Sequence, residues 1–165
     1  MIVITGTPGT GKTSVSKVLG KALKMKVLHV GDLVKEKNHL CCGEEGGSLL
    51  VDVEKLREEL EGFDGIAEGH VLCEISLPAR AIVLRTNPIE LEARLRKRDY
   101  SESKIRENVE AEAIDYCWIN ASQNYEDLIQ VDTTGLSVEA TKAKILFMLD
   151  GLESDSVDWS EFFLS

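Results

Sequence analysis

The sequence predicts an α/β domain built on a parallel sheet, and three observations carry that expectation. Short apolar runs alternate with stretches of helical periodicity, the pattern of strands joined by crossover helices. The first run, Ile2-Val3-Ile4, leads directly into the glycine-rich segment Gly6-Thr7-Pro8-Gly9-Thr10-Gly11-Lys12-Thr13. Behind it, Val15, Val18, Leu19, Ala22 and Leu23 recur at helical spacing. The 165 residues suit one compact domain, and neither repeats nor low-complexity segments divide them.

Ile2-Val3-Ile4 is the first strand, and residues from about Lys12 to Lys24 form a helix with one buried stripe. Val27-Leu28-His29-Val30 reads as a second strand. Gly31-Asp32 begins the next helix, where an aspartate suits the positive N-terminal end. From Asn38 to Leu50, Gly43, Gly46 and Gly47 interrupt any periodicity, so a mobile insertion over the sheet is expected. Asp52 caps a helix carrying Val53, Leu56 and Leu60. Gly65-Ile66-Ala67 is a short strand ending at Glu68-Gly69-His70, and Ala79 to Leu84 is another. Asn87-Pro88 opens a helix with proline at its favoured first position. Arg98-Asp99-Tyr100-Ser101 breaks that helix, and Ser101 caps a longer one to about Ser122. Leu128-Ile129-Gln130-Val131 is the last strand, and Ser137 caps a final helix to about Leu149.

Composition narrows the function classes. A chain with 43% hydrophobic and 29% charged residues is an ordinary globular one. Its net charge of −10 repels nucleic-acid backbones, so no direct DNA binding is expected. No segment approaches the roughly 20 apolar residues of a membrane helix, and no charged leader opens the chain. A cytoplasmic protein is the expectation. Cys41, Cys42, Cys73 and Cys117 show no Cys-x-x-Cys spacing and read as reduced, space-filling thiols. His29 and His39 read as structural or solvated.

The spacing Gly6-x-x-x-x-Gly11-Lys12-Thr13, between a buried strand and an amphipathic helix, is the Walker A pattern in its proper context. Glycines let backbone N–H groups and the helix N-terminus face phosphate. Lys12 supplies positive charge for the outer phosphates of ATP, and the Thr13 hydroxyl is a Mg²⁺ ligand. No Asn-Lys-x-Asp guanine-reading motif occurs, and the short chain with two interruptions looks like a nucleoside monophosphate kinase. From Arg94 to Arg106 the chain carries Arg94, Arg96, Lys97, Arg98, Lys104 and Arg106 against only Asp99 and Glu102. Such a basic segment can close over a triphosphate, and Arg98 sits where the helix breaks. Glu68 and His70 follow a parallel strand at the edge where such sheets bind ligands. Glu68 is a candidate for holding Mg²⁺ through water or for orienting a nucleophile, and His70 for facing the acceptor phosphate.

With those residues in place, the chain resembles the adenylate kinase isoenzyme six family, nucleotide kinases also known as small-subunit ribosome maturation factors. The resemblance runs through Gly6 to Thr13, Val30-Gly31-Asp32-Leu33, Val83-Leu84-Arg85-Thr86, Arg94-Leu95 and Arg98-Asp99-Tyr100-Ser101, into Lys104 and Asn108. It implies the fold of P-loop nucleoside monophosphate kinases, with a five-stranded parallel sheet and helices on both faces. It implies phosphoryl transfer from Mg-ATP to AMP, with a slower ATPase. By position, Gly9, Gly11, Lys12, Thr13 and Ser14 would hold ATP, and Gly135 and Leu136 would border the adenine. The region from about His29 to Asp52, including Asp32, would bind AMP, with Arg94 among the substrate contacts. Residues from about Lys97 to Asn108 would form the lid, with Arg98 on ATP. A small-subunit ribosomal protein is the implied partner.

Two departures stand out. The family commonly shows Asp-x-His where this chain has Glu68-Gly69-His70. No Lys or Arg occurs between Asn38 and Glu54, and Val71-Leu72 follow His70, so Arg85 is the candidate partner for the AMP phosphate. The rival to the kinase is an ATPase assembly factor for a ribosomal protein. Its docking element would be the acidic, aromatic tail with Asp155, Asp158, Trp159, Glu161, Phe162 and Phe163. A third reading is a nucleotide-binding scaffold without turnover.

Overall fold

The computed structural model describes residues 1–45, 48–98, 100–151 and 153–164, without the side chains of Glu45, Ser48, Phe163 and Leu164. Gly46, Gly47, Asp99 and the Phe163 side chain, named above, therefore lie outside the described residues. Five strands, β1 (Ile2–Thr5), β2 (Val27–His29), β5 (Ile66–Glu68), β6 (Arg80–Arg85) and β7 (Leu128–Asp132), form one sheet in the order β2-β5-β1-β6-β7. Every pairing in it is parallel.

Alternation along the strands fills two cores. Ile4, Ile66, Ile82, Leu84 and Val131 face α1 (Lys12–Leu23) and α7 (Val138–Leu149), packing on Val15, Leu19, Ile145 and Met148. Val3, Ala67, Ala81 and Val83 point to the other face. There they meet Leu56 of α3 (Val53–Glu59), Cys117 and Ala121 of α6 (Tyr116–Asn124), and Val34 of α2 (Val30–Glu36). A third cluster, Leu91, Leu95, Ile105 and Val109, joins α4 (Pro88–Leu95) to α5 (Glu102–Ala113). Strands buried on both faces need helices on both faces, which is why the sheet is parallel and covered.

The capping expectations hold at four helices. Asp52, Asn87, Ser101 and Ser137 each accept a hydrogen bond from a backbone N–H in the first turn that follows. Two expectations fail. The segment from Asn38 to Leu50 is an ordered 3-10 turn followed by the antiparallel hairpin β3 (Cys41–Glu45) and β4 (Ser48–Val51). The hairpin register shifts between Cys41 and Gly43, a bulge that takes in one of the segment's glycines. The helix expected from Ser101 to Ser122 is two helices, because Asp115 takes a left-handed conformation at φ 60°. That break lets the Asp115 carboxylate reach the guanidinium of buried Arg85. α2 also starts earlier than read, at Val30, and Asp32 lies in its first turn without capping it.

The C-terminal segment packs on its own domain. Asp155 pairs with the β7 backbone, accepting from Asp132 N–H at 2.7 Å, and Lys144 Nζ lies 2.6 Å from its carboxylate. Phe162 packs against the α4/α5 cluster, and Trp159 is half-buried. Of the tail residues nominated for docking, Asp158 and Glu161 remain exposed.

Candidate active site

The C-terminal ends of the parallel strands converge on the loop between β1 and α1. The loop requires its glycines. Gly6 has φ 137°, and a Cβ there would lie 2.4 Å from the Leu84 carbonyl oxygen, which cannot move aside. Gly9, at φ 101°, lies close enough to Leu91 and Leu95 that a Cβ would meet their methyl groups at 2.7 and 2.9 Å. Gly11, at φ 98°, turns the chain into α1.

Lys12 is buried, and its ammonium donates to the carbonyls of Gly6 at 2.7 Å and Thr7 at 3.0 Å. Burial pushes its pKa below the ordinary value, with the nearby Arg98 charge acting the same way and Cys117, Glu68 and Glu112 opposing. Thr13 and Ser14 are exposed at the start of α1. The Thr13 hydroxyl donates to Glu68 Oε1 at 3.1 Å, and His29 Nδ1 lies 2.7 Å from the same oxygen. Glu68 is only 6% exposed.

The sequence expectation of a structural or solvated His29 does not include this pairing with Glu68. Its signal was present in principle. Both residues end short parallel strands, and the sheet register sets them side by side. His70 does approach the loop, with Nδ1 at 3.4 Å from the Gly6 carbonyl oxygen and 3.5 Å from Cys117 Sγ. Cys117 is thus part of the site's surroundings and not mere filler. Its neighbour Cys73 pulls its pKa down against the effect of burial, with His70 and Lys12 assisting.

Two cavities lie near the loop, one lined by it and one reached through His70. One, of about 370 Å³, is lined by Thr10, Gly11, Glu90, Arg94, Lys97 and Leu136 among others. Glu90 organises its wall, accepting from Arg94 Nη2 at 2.6 Å and from Gly135 N–H at 2.9 Å. Arg94 also donates to the Thr133 carbonyl at 2.9 Å. The other cavity, of about 470 Å³, lies between α2, the hairpin and Tyr100, with Gly31, Lys35, Leu49 and His70 in its wall. Arg98 is exposed, and among the described residues its guanidinium makes no ion pair.

Two nominated substrate contacts stand away from these cavities. Asp32 is exposed on α2 and pairs with Lys35 at 3.9 Å. Arg85 is 1% exposed, enclosed by Glu112 at 2.8 Å, Gln130 at 3.2 Å and Asp115. Burial alone would lower its pKa, but the two carboxylates outweigh burial and raise it. Its guanidinium is directed into the protein, so this geometry gives it no reach to an acceptor phosphate.

Comparison with known proteins agrees with this geometry. Residues 2–115 match the family described as an AAA domain. The chain is 38% identical over 176 aligned positions to a Methanosarcina barkeri protein named "Putative adenylate kinase", covering 96% of this chain and 97% of that one. An Archaeoglobus fulgidus protein of the same name is 42% identical over 139 positions, covering 84% and 76%. In fold, shikimate kinase from Acinetobacter baumannii in complex with shikimate superimposes with TM-score 0.67 at 16% identity, over 92% of this chain and 94% of that one. Deoxyadenosine kinase from M. mycoides with bound dATP superimposes with TM-score 0.59 at 16% identity, over 91% and 99%. With its phosphate loop, its parallel sheet and full-length relatives of this kind, the chain belongs to the adenylate-kinase-like family of P-loop kinases.

Proposed function

We propose that the protein is a nucleoside monophosphate kinase of the adenylate kinase type, converting ATP and AMP into two ADP. One relationship carries this reading: the glycine loop that holds Lys12 lines one cavity through Thr10 and Gly11, and His70, 3.4 Å from the loop's Gly6 carbonyl oxygen, lines a second. The cavity beside Gly11, Lys97 and Leu136 takes the adenosine of ATP. The cavity beside Gly31, Lys35 and His70 takes the acceptor.

The donor set at Thr13 and Glu68, a hydroxyl and a carboxylate 3.1 Å apart, is hard oxygen chemistry and fits Mg²⁺. When bound there, that ion neutralises charge on the phosphoryl oxygens. The chain supplies the rest. Gly9, Gly11, Lys12, Thr13 and Ser14 grip the triphosphate with backbone N–H groups and one ammonium. Lys12 leaves the Gly6 and Thr7 carbonyls for the outer phosphates, and desolvation strengthens its interaction with them. Arg98, near enough to influence Lys12, adds charge to the migrating phosphoryl group. An AMP phosphate oxygen forms the new bond to the γ-phosphorus as its bond to the β-bridging oxygen breaks, and ADP departs. His29 orients Glu68, and His70 lines the acceptor side. Closure of residues 97–108 excludes water.

A second reading rests on the acceptor cavity. With Arg85 enclosed, Lys35 is the one Lys or Arg among its lining residues, which favours water over AMP as acceptor. Under that reading the chain is an ATPase whose turnover serves a ribosomal protein partner, and the partner rests on the resemblance alone.

Phosphorus NMR of ATP, Mg²⁺ and the protein, with and without AMP, separates the two. AMP-dependent ADP formation without free phosphate, lost in Lys12→Ala, supports the kinase. Phosphate release indifferent to AMP overturns it in favour of the ATPase.

A further inference from the structure

Beneath the phosphate loop lies a group of side chains of which only His70 has a place in the kinase reading, on its acceptor side. His70 and Cys73 occupy one 3-10 turn, His70–Glu74, where residues three apart stand on the same face. Cys117, in the first turn of α6, packs with Cys73 in the same core cluster. The potential ligand atoms of all three lie within 4.8 Å of one another.

We propose that His70, Cys73 and Cys117 form a binding site for a thiophilic d¹⁰ cation, Zn²⁺, separate from the oxygen site at Thr13 and Glu68. The spacing fits the ion. A tetrahedral zinc with Zn–S of about 2.3 Å and Zn–N of about 2.0 Å sets sulfur and nitrogen about 3.5 Å apart. His70 Nδ1 and Cys117 Sγ are separated by 3.5 Å. Two thiolates and an imidazole select zinc over Mg²⁺, which prefers oxygen donors and retains its waters.

The surroundings hold the ligands in place. Asn124 donates to the Cys73 carbonyl at 3.1 Å, and Tyr125 to the Leu72 carbonyl at 2.7 Å. Thr5 Oγ1 donates to the His70 carbonyl at 3.0 Å. The entry route is the cavity shared by Gly31, Lys35 and Tyr100, whose wall includes the half-buried imidazole. The fourth position belongs to water or an anion from that cavity. The Thr7 hydroxyl, 3.8 Å from Cys117 Sγ, is already committed to Glu112 at 2.5 Å. On binding, the imidazole is neutral, both sulfurs bind as thiolates, and their protons pass to solvent.

This site shares His70 with the acceptor side of the kinase reading, but its test needs no turnover, so the two fail separately. Cys41 and Cys42 are further thiols, one half-buried and one exposed, so the background is the Cys41→Ser/Cys42→Ser protein, kept reduced. Titration with Co²⁺ should produce a thiolate-to-cobalt charge-transfer band and tetrahedral d–d bands, saturating at one equivalent and bleached by Zn²⁺. Adding Cys117→Ser or Cys73→Ser, each checked for folding by circular dichroism, should weaken zinc binding at least about tenfold. An oxygen-only cobalt spectrum in the background protein would overturn the proposal without any further variant. A charge-transfer band that survives the loss of Cys117 would overturn it equally.

Discussion

The Thr7 hydroxyl of the phosphate loop donates to one carboxylate oxygen of Glu112 at 2.5 Å, while the other oxygen accepts from Arg85 Nε at 2.8 Å. Glu112 is 1% exposed and also accepts from the Trp159 indole N–H at 3.3 Å. One buried carboxylate therefore ties the loop to β6, α5 and the C-terminal segment. Removing it in Glu112→Ala strands a buried guanidinium, and the expected loss is about 3–5 kcal/mol in urea denaturation. Replacing both partners, Arg85→Met with Glu112→Leu, should recover much of that loss, because the desolvation of two charges disappears with them.

Arg85 makes a sharper test of substrate assignment. Since its guanidinium is enclosed, Arg85→Lys should lower the melting temperature while the AMP KM stays within about twofold of wild type. A large rise in AMP KM, with stability intact, would return Arg85 to the acceptor site.

Glu68 joins Thr13 to His29, so its charge matters more than its volume. Glu68→Gln should reduce kcat by about 10²–10³, the range found when one electrostatic stabiliser is removed. His29→Asn, which keeps the carboxylate and disturbs only its orientation, should have a smaller effect. A steady-state assay of ADP formation checks both, and equal effects would place His29 in the chemistry itself.

The C-terminal segment is expected to contribute stability. Trp159→Phe removes the hydrogen bond to Glu112 but keeps the ring near Arg85, now 6.0 Å from its centroid, and should cost about 1 kcal/mol. Trp159→Ala should cost more. Denaturation midpoints that match wild type for both would show the segment held by other contacts.

Glu90 gives the wall of the cavity beside Gly11 and Leu136 a pH dependence. Burial alone would raise its pKa, but the Gly135 N–H and the Arg94 guanidinium outweigh burial and hold it below 4.5. A carboxyl with a lowered folded-state pKa binds fewer protons than the unfolded chain does as acid is added. Its contribution is therefore full above about pH 4.5 and is lost as pH falls through the lower folded value. Glu90→Gln should lower the melting temperature at neutral pH, and the difference from wild type should shrink on acidification below that range.

Local chemistry made much of this protein legible from the sequence. Gly6, Gly9 and Gly11 announce a loop that only positive φ can build. Asp52, Asn87, Ser101 and Ser137 announce helix starts because each cap is satisfied within three residues. Short apolar runs alternating with helical stretches announce a parallel sheet, and the family resemblance supplies its five strands and the helices on both faces. The β3–β4 hairpin escaped notice because its glycines hid the alternation of a short, half-exposed pair.

What the sequence by itself determined is the set of elements and the phosphate loop, since propensity, capping and periodicity act over a few neighbouring residues. Only the tertiary structure decided which distant side chains share a site. Strand register placed His29 beside Glu68, the left-handed Asp115 turned α6 so that Cys117 meets His70, and burial enclosed Arg85 with Glu112. Such contacts depend on how layers pack, and a charge or thiol carries no local signal of the partner it will meet when both leave water.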